Sequence, residues 1–176
     1  SGTIWTVGTP IGTGMLNGTL TGSGTVGLAG GTLSVTGTSS IPGYHQSGGT
    51  LDGAGNLTAA SGFYWSSGTM SGGGKTIVGA GVTAGVIHTD TYYGASEPHL
   101  ARTLENLGTI GHEGGVYQSN LSIDAGGMLD NKAGGSYLFT TDAGIVGTGG
   151  QIINSGTFGK SGGAGTSTVT ASLANA

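Results

Sequence analysis

Along most of the chain single apolar residues alternate with Thr, Ser or Gly, as in Thr3-Ile4-Trp5-Thr6-Val7, Thr32-Leu33-Ser34-Val35-Thr36, Asn56-Leu57-Thr58 and Thr76-Ile77-Val78. A period of two is that of a half-buried strand, with apolar side chains turned one way and hydroxyls the other. The strands it predicts are short and divided by glycine pairs. One phrase, Gly-Thr and an apolar residue, keeps returning: Gly2-Thr3-Ile4, Gly18-Thr19-Leu20, Gly31-Thr32-Leu33, Gly49-Thr50-Leu51, Gly68-Thr69-Met70, Gly108-Thr109-Ile110 and Gly156-Thr157-Phe158. A unit that turns on Gly, runs briefly extended and turns again cannot bury its one apolar face alone, so it stacks on copies of itself. The pattern predicts an all-β parallel β-helix, or β-solenoid, spanning residues 1–176 as one domain.

In the first half the phrase extends to strand, Gly-x-Gly corner, strand, at 18–26, 49–57 and 68–77. Glycine suits such corners because the chain changes direction through positive φ or through positions too crowded for a Cβ. From residue 100 a second phrase appears, apolar-x-Asn, in Leu104-Glu105-Asn106, Leu129-Asp130-Asn131, Ile152-Ile153-Asn154 and Leu173-Ala174-Asn175. The intervals from each asparagine to the next are nearly even. Such an interval is one circuit of a three-sided coil, so we expect a three-sided, right-handed solenoid with about 21–25 residues per coil. Asn106, Asn131, Asn154 and Asn175 are then placed to stack as a structural ladder, each amide bonding the next coil.

The last phrase stops at Ala176 without its Gly-Thr half, and Ser1-Gly2-Thr3-Ile4 supplies that half. Joining the two ends restores the Asn-x-x-Gly spacing found at Asn131. We therefore expect copies to continue head to tail, as tandem repeats or stacked subunits, with Ser1, Gly2, Thr3, Ile4, Leu173 and Asn175 at the joint. Neither terminus reads as a cap, and an uncapped coil presents unpaired backbone groups that recruit another strand.

Composition narrows the class further. The chain holds 42 glycines but only 3 prolines in 176 residues, with no three-residue period, which excludes collagen; 35% hydrophobic content exceeds that of a disordered linker. Lys and Arg total 4, Asp and Glu 8, and the net charge is -4. With no basic run to neutralise phosphates, nucleic acid is not an expected partner. No apolar run is long enough for a membrane span. A start at Ser1 without Met or a secretory signal fits a processed protein or an excised segment. Absence of cysteine removes disulfides and thiolate metal sites. A chain poor in Lys and Glu and rich in Ser and Thr fits an extracellular setting.

Candidate chemistry concentrates at 88–113, which contains Asp90, Glu97, Arg102, Glu105, Glu113, His88, His99 and His112. We read 88–99 as a more polar loop insertion thrown out from the coil, where recognition usually sits. His88, Asp90, His99, His112 and Glu113 suit zinc by type but have no metal-ligand spacing. They read as solvated surface side chains, and neither a metal nor a cofactor is expected. Asp124, Asp130 and Asp142, near Lys132, form no tight acidic cluster, so no enzymatic activity is expected. In Phe63-Tyr64-Trp65 the outer two share one face and Tyr64 takes the other; the cluster reads as a carbohydrate platform or, the favoured reading, with Phe63 and Trp65 filling the core. Tyr64, Tyr92, Tyr93 and His99 are the candidate ligand contacts, with surface glycans the partner class. A carbohydrate-binding module and a polysaccharide-active β-helix enzyme are the competing functions. The threonines lack the strict period of a flat ice-binding array.

Two stretches, Arg102-Thr103-Leu104-Glu105-Asn106-Leu107-Gly108-Thr109-Ile110 and the run from Ile153 through Asn154, Ser155, Gly156 and Thr157 to Val169, resemble repeats of very large bacterial surface proteins of the adhesin and autotransporter-passenger type. The similarity spans nearly the whole chain, and its low-complexity phrases speak to architecture and setting more than to a ligand. It implies a parallel β-solenoid stalk or filament exported to the bacterial cell surface. It supplies no catalytic residues.

Overall fold

The alternating segments form short strands whose ladders are all parallel, and the chain winds into a β-solenoid of about 7 turns. The computed structural model describes residues 4–7, 12–89, 97–115 and 119–176, the first of these as backbone only. The expectations for Ser1, Gly2, Thr3, Tyr92, Tyr93 and most of the 88–99 insertion lie outside the described residues. No helix occurs among those described, and so none that could cross a membrane.

Three stacks of strands make the three sides. On side one, Ile4–Val7 pairs with Thr25–Leu28, and the stack continues through 43–46, 62–65, Gly85–Thr89, Thr109–Gly114, Ser136–Phe139 and Thr157–Lys160. Side two runs from Thr13–Leu16 through Thr32–Val35, 50–52, 69–70, His99–Leu100, Asn120–Asp124 and Gly144–Thr148 to a bridge at Val169. Side three starts with the bridge from Thr19 to Ser40. It continues through 57–59, Lys75–Val78, Thr103–Asn106, Met128–Asn131 and Gln151–Asn154 to Ser172–Asn175.

Within most strands alternate residues are buried, as in Thr32–Val35, where Leu33 and Val35 point into the bore and Thr32 and Ser34 outward. The bore is one continuous apolar cluster from Val26 to Ala171, with Tyr44, Phe63, Trp65, Tyr137 and Phe139 filling side one. Burial of Phe63 and Trp65 around a half-buried Tyr64 follows from the strand period.

Coil length is not uniform. Ser39 pairs with Leu57 and Leu57 with Thr76, circuits shorter than the asparagine interval. Lys75 pairs with Thr103 and Thr69 with His99, circuits longer than that interval because they take in the polar insertion. The spacing read from the asparagines therefore describes side three only from Thr103 onward; its earlier coils are shorter because their corners are pared down to Gly-x-Gly. The shorter coils also bring a single column of threonines into line. Thr13, Thr32, Thr50 and Thr69 stand in register on the outside of side two, one per coil.

At the corner between sides two and three, successive backbones lie directly on one another. A Cβ on Gly74 would run into the Gly55 carbonyl oxygen, whereas one on its neighbour Gly73 would meet nothing within 4 Å. The groove left by these glycines holds the buried Arg102, whose Nε donates to Gly74 O at 3.1 Å and whose Nη2 donates to Gly55 O at 2.9 Å. A residue that the sequence groups with a polar stretch is thus a corner bolt: it reaches back over one coil and onto a second. Gly74→Ala is expected to lower stability by about 1–3 kcal/mol, the cost of overpacking, while Gly73→Ala stays within about 0.5 kcal/mol. Thermal melts of the two variants check this, and equal midpoints would contradict the close-stacked corner.

Candidate functional site

Three groupings of polar side chains emerge from this frame: a column inside side three, a buried cluster inside side one and a strip on the outside of side one. The first occupies the inward position that Ile41, Ala59 and Val78 hold in earlier coils. From Asn106 onward the same position is asparagine. Asn106 Nδ2 donates to Asn131 Oδ1 at 2.8 Å, Asn131 Nδ2 to Asn154 Oδ1 at 2.7 Å and Asn154 Nδ2 to Asn175 Oδ1 at 2.6 Å. Each of these three amides makes a second donation to a carbonyl, of Ser136, Thr157 and Gly156 respectively. At the start of the column Asn106 Oδ1 accepts from Gly108 N at 3.2 Å, so the first amide is not left with an idle acceptor.

Inside side one, His112 is fully buried against Tyr137, Phe139 and Thr89. Thr89 gives its one hydroxyl proton to Ser119 O at 2.8 Å, so the 3.4 Å contact to His112 Nε2 assigns that nitrogen the hydrogen. Nδ1 then accepts from the Tyr137 hydroxyl at 2.8 Å. Burial, with the nearby His88 adding to it, pushes the imidazole pKa down to about 3. Burial likewise raises the Tyr137 hydroxyl. This histidine is a neutral hydrogen-bonding core residue, which corrects its reading as a solvated side chain. Nothing in the composition distinguished it; its inward register, two residues after Ile110, was the available signal.

The outer strip begins at His45, whose ring meets Tyr64 edge-on at 4.7 Å, and continues from Tyr64 to a stacked His88 at 6.4 Å. His88 Nδ1 lies 3.2 Å from Glu113 Oε1. Burial, with Glu113 nearby, raises the Tyr64 hydroxyl pKa although a hydrogen bond from Ser66 opposes the shift. His45 was not among the residues singled out from sequence. Its signal was the alignment of Gly43-Tyr44-His45-Gln46 with Gly62-Phe63-Tyr64-Trp65, now seen as paired strands.

Tyr64 and His99 do not come together: His99 stands on side two, across a corner, where Nδ1 contacts Asp124 Oδ2 at 2.9 Å. Burial of Asp124 works to raise its pKa, but hydrogen bonds from Thr148, Ser122 and His99 prevail and lower it. Glu105 and Asp130 stand in register on adjacent coils, each held by a lysine, Lys75 at 2.8 Å and Lys132 at 2.6 Å, while Asp142 lies apart beside Lys160 at 2.7 Å. Among the described residues no three His or acidic side chains converge as metal ligands. Comparison with protein-family models, curated proteins and solved structures returns no match.

Asn131→Ala removes a bond on each side of the column and strands buried acceptors, so a loss of about 1–3 kcal/mol is expected. An unchanged denaturation midpoint would count against the column as a stabilising element. For His112 the folded-state pKa of about 3 lies below the unfolded value of about 6.5. The unfolded chain therefore binds the proton first, and stability falls as pH drops through the window from about 6.5 to about 3. The melting temperature should decline between pH ~6.5 and pH ~5, above the carboxylate range, and His112→Phe should flatten that decline; equal slopes would remove His112 as the cause.

Proposed function

We propose that this chain is a structural and adhesive β-solenoid element of a bacterial cell-surface stalk or filament, extending coil upon coil through further copies of the same unit. The observation that supports the reading most directly is the repetition of one strand register coil upon coil, with the asparagine column running through four successive coils. Ser172–Asn175 pairs with Gln151–Asn154 on one side only, and its residues are all exposed. Ala176 N donates back to Asn154 O at 2.8 Å, and backbone groups alternate in direction along a strand. The N–H and C=O of Leu173 and Asn175 therefore face outward along the axis. Leu173, in register with the buried Ile152, is 48% exposed and leaves an apolar residue at this end of the bore. Asn175, the last member of the amide column, accepts from Asn154 and faces the position where a further amide would sit.

In such an element the mechanism is mechanical. Backbone hydrogen bonds run along the axis, apolar side chains fill the bore and the amide column ties coil to coil. The next coil comes from the same polypeptide or from another molecule; both place a strand on the same edge. The sparse charges favour this reading over a polysaccharide-active enzyme, and the two carboxylates that do stand on adjacent coils, Glu105 and Asp130, are each held by a lysine.

Electron microscopy of the purified protein should show fibres or rods with an axial repeat of about 34 Å, seven coils at one strand spacing each. Leu173→Pro, which removes an outward donor without touching the bonds to the preceding coil, should shorten or abolish them. A repeat unrelated to the coil rise would overturn the proposal, and a globular monomer at all concentrations would remove its separate-subunit form.

A further inference from the structure

The outside of side one is not flat. Thr25, Gly43 and Gly62 stand in register on successive coils, with His45, Tyr64 and Val86 in the neighbouring column. The two columns bound a groove of about 480 Å³ that reaches Ala84. A second hollow of about 320 Å³ shares Thr25, Gly43 and Gly62 and adds Ser23, Pro42 and Ser61 from the corner. Together they run across four coils, about 14 Å along the axis.

Glycine in the interior of a strand weakens it and usually answers to a packing need or to something that approaches closely. Gly43 has a packing reason, since a Cβ there would meet the Thr25 hydroxyl. Gly62 has none. Its φ is not positive, and a Cβ would find no atom nearer than 4.0 Å. What its missing side chain preserves is open space beside Tyr64.

We infer that this groove binds a neutral oligosaccharide lying along the solenoid axis, seated over Gly43 and Gly62 and stacked against Tyr64. Among the described residues no Lys, Arg, Asp or Glu lines either hollow, so these offer nothing to neutralise a charged polymer. They offer instead a half-buried phenol ring, an imidazole edge and the hydroxyls of Ser23, Thr25 and Ser61. A sugar ring has a C–H face for the aromatic surface and a rim of hydroxyls for the rest, the combination that amphipathic aromatics suit. An extended peptide would need a free strand edge, and here 43–46 and 62–65 are paired on both edges. The groove lies on the flank of the solenoid, so its occupancy is independent of end-to-end stacking.

The test is a titration of the full chain with linear tetraoses of glucose, mannose, galactose and N-acetylglucosamine, and with the tetramer of galacturonic acid, followed by calorimetry and saturation-transfer NMR. At least one neutral tetraose is expected to bind with a Kd of ~1 mM or tighter. Gly62→Gln, whose Cβ meets no atom nearer than 4.0 Å, extends into the groove and should weaken binding about tenfold or more at an unchanged melting temperature; Tyr64→Ala should also weaken binding about tenfold or more, and Gln151→Ala on side three should leave binding intact. If Tyr64→Ala fails to fold, Gly62→Gln decides. No binding at ~10 mM, binding that survives Gly62→Gln, or tighter binding of the acidic tetramer overturns the proposal.

Discussion

Every residue in this molecule is answerable to the residue one coil away, because parallel backbone hydrogen bonds hold successive coils at a single strand spacing. A side chain in the bore has a fixed neighbour above and below, so a polar choice in one coil must be met in the next. Side three shows both solutions in one column. Ile41, Ala59 and Val78 require nothing of one another beyond volume, while Asn106, Asn131 and Asn154 each require an amide or carbonyl on either side. The change of type occurs once, between Val78 and Asn106, and Gly108 N covers the acceptor that the change would otherwise strand.

The same constraint governs charge. Glu105 stands directly over Asp130 on the outside of side three, an arrangement that is repulsive at one strand spacing. Lys75 lies 2.8 Å from Glu105 and Lys132 2.6 Å from Asp130. In both pairs the carboxylate is largely covered and the ammonium half open to water. Their role is to let two carboxylates occupy neighbouring coils, and a chain with few charges needs few such arrangements.

Strand period, the solenoid and the spacing of the asparagines were legible because each depends on residue type at short range. Alternation placed Phe63 and Trp65 inward and Tyr64 outward without reference to the rest of the fold. Coil length was legible only where a marker residue recurred. The Gly-Thr phrase misled in this respect, since it marks a corner without saying which: Gly49-Thr50 and Gly68-Thr69 lead into side two, Gly108-Thr109 and Gly156-Thr157 into side one. Short circuits such as those from Ser39 to Leu57 and from Leu57 to Thr76 therefore passed unnoticed, and with them the threonine column on side two. The burial of Arg102 and His112 was hidden for another reason. Both are polar residues in a polar stretch, and what buries them is the corner groove and the bore, which are made by residues one and two coils away.

Arg102 also bears on how the solenoid comes apart. A stack of coils in which each touches only its neighbours behaves as a one-dimensional chain, free to fray from an end or to part at its weakest interface. The guanidinium contacts Gly74 in the coil before it and Gly55 in the coil before that. It spans the place where coil length jumps, from the short circuit between Leu57 and Thr76 to the long one between Lys75 and Thr103. At that step two regular segments would otherwise meet as separate blocks. A next-nearest-neighbour tie there fuses the blocks into one melting unit, so the irregular middle of the stack does not act as its breaking point.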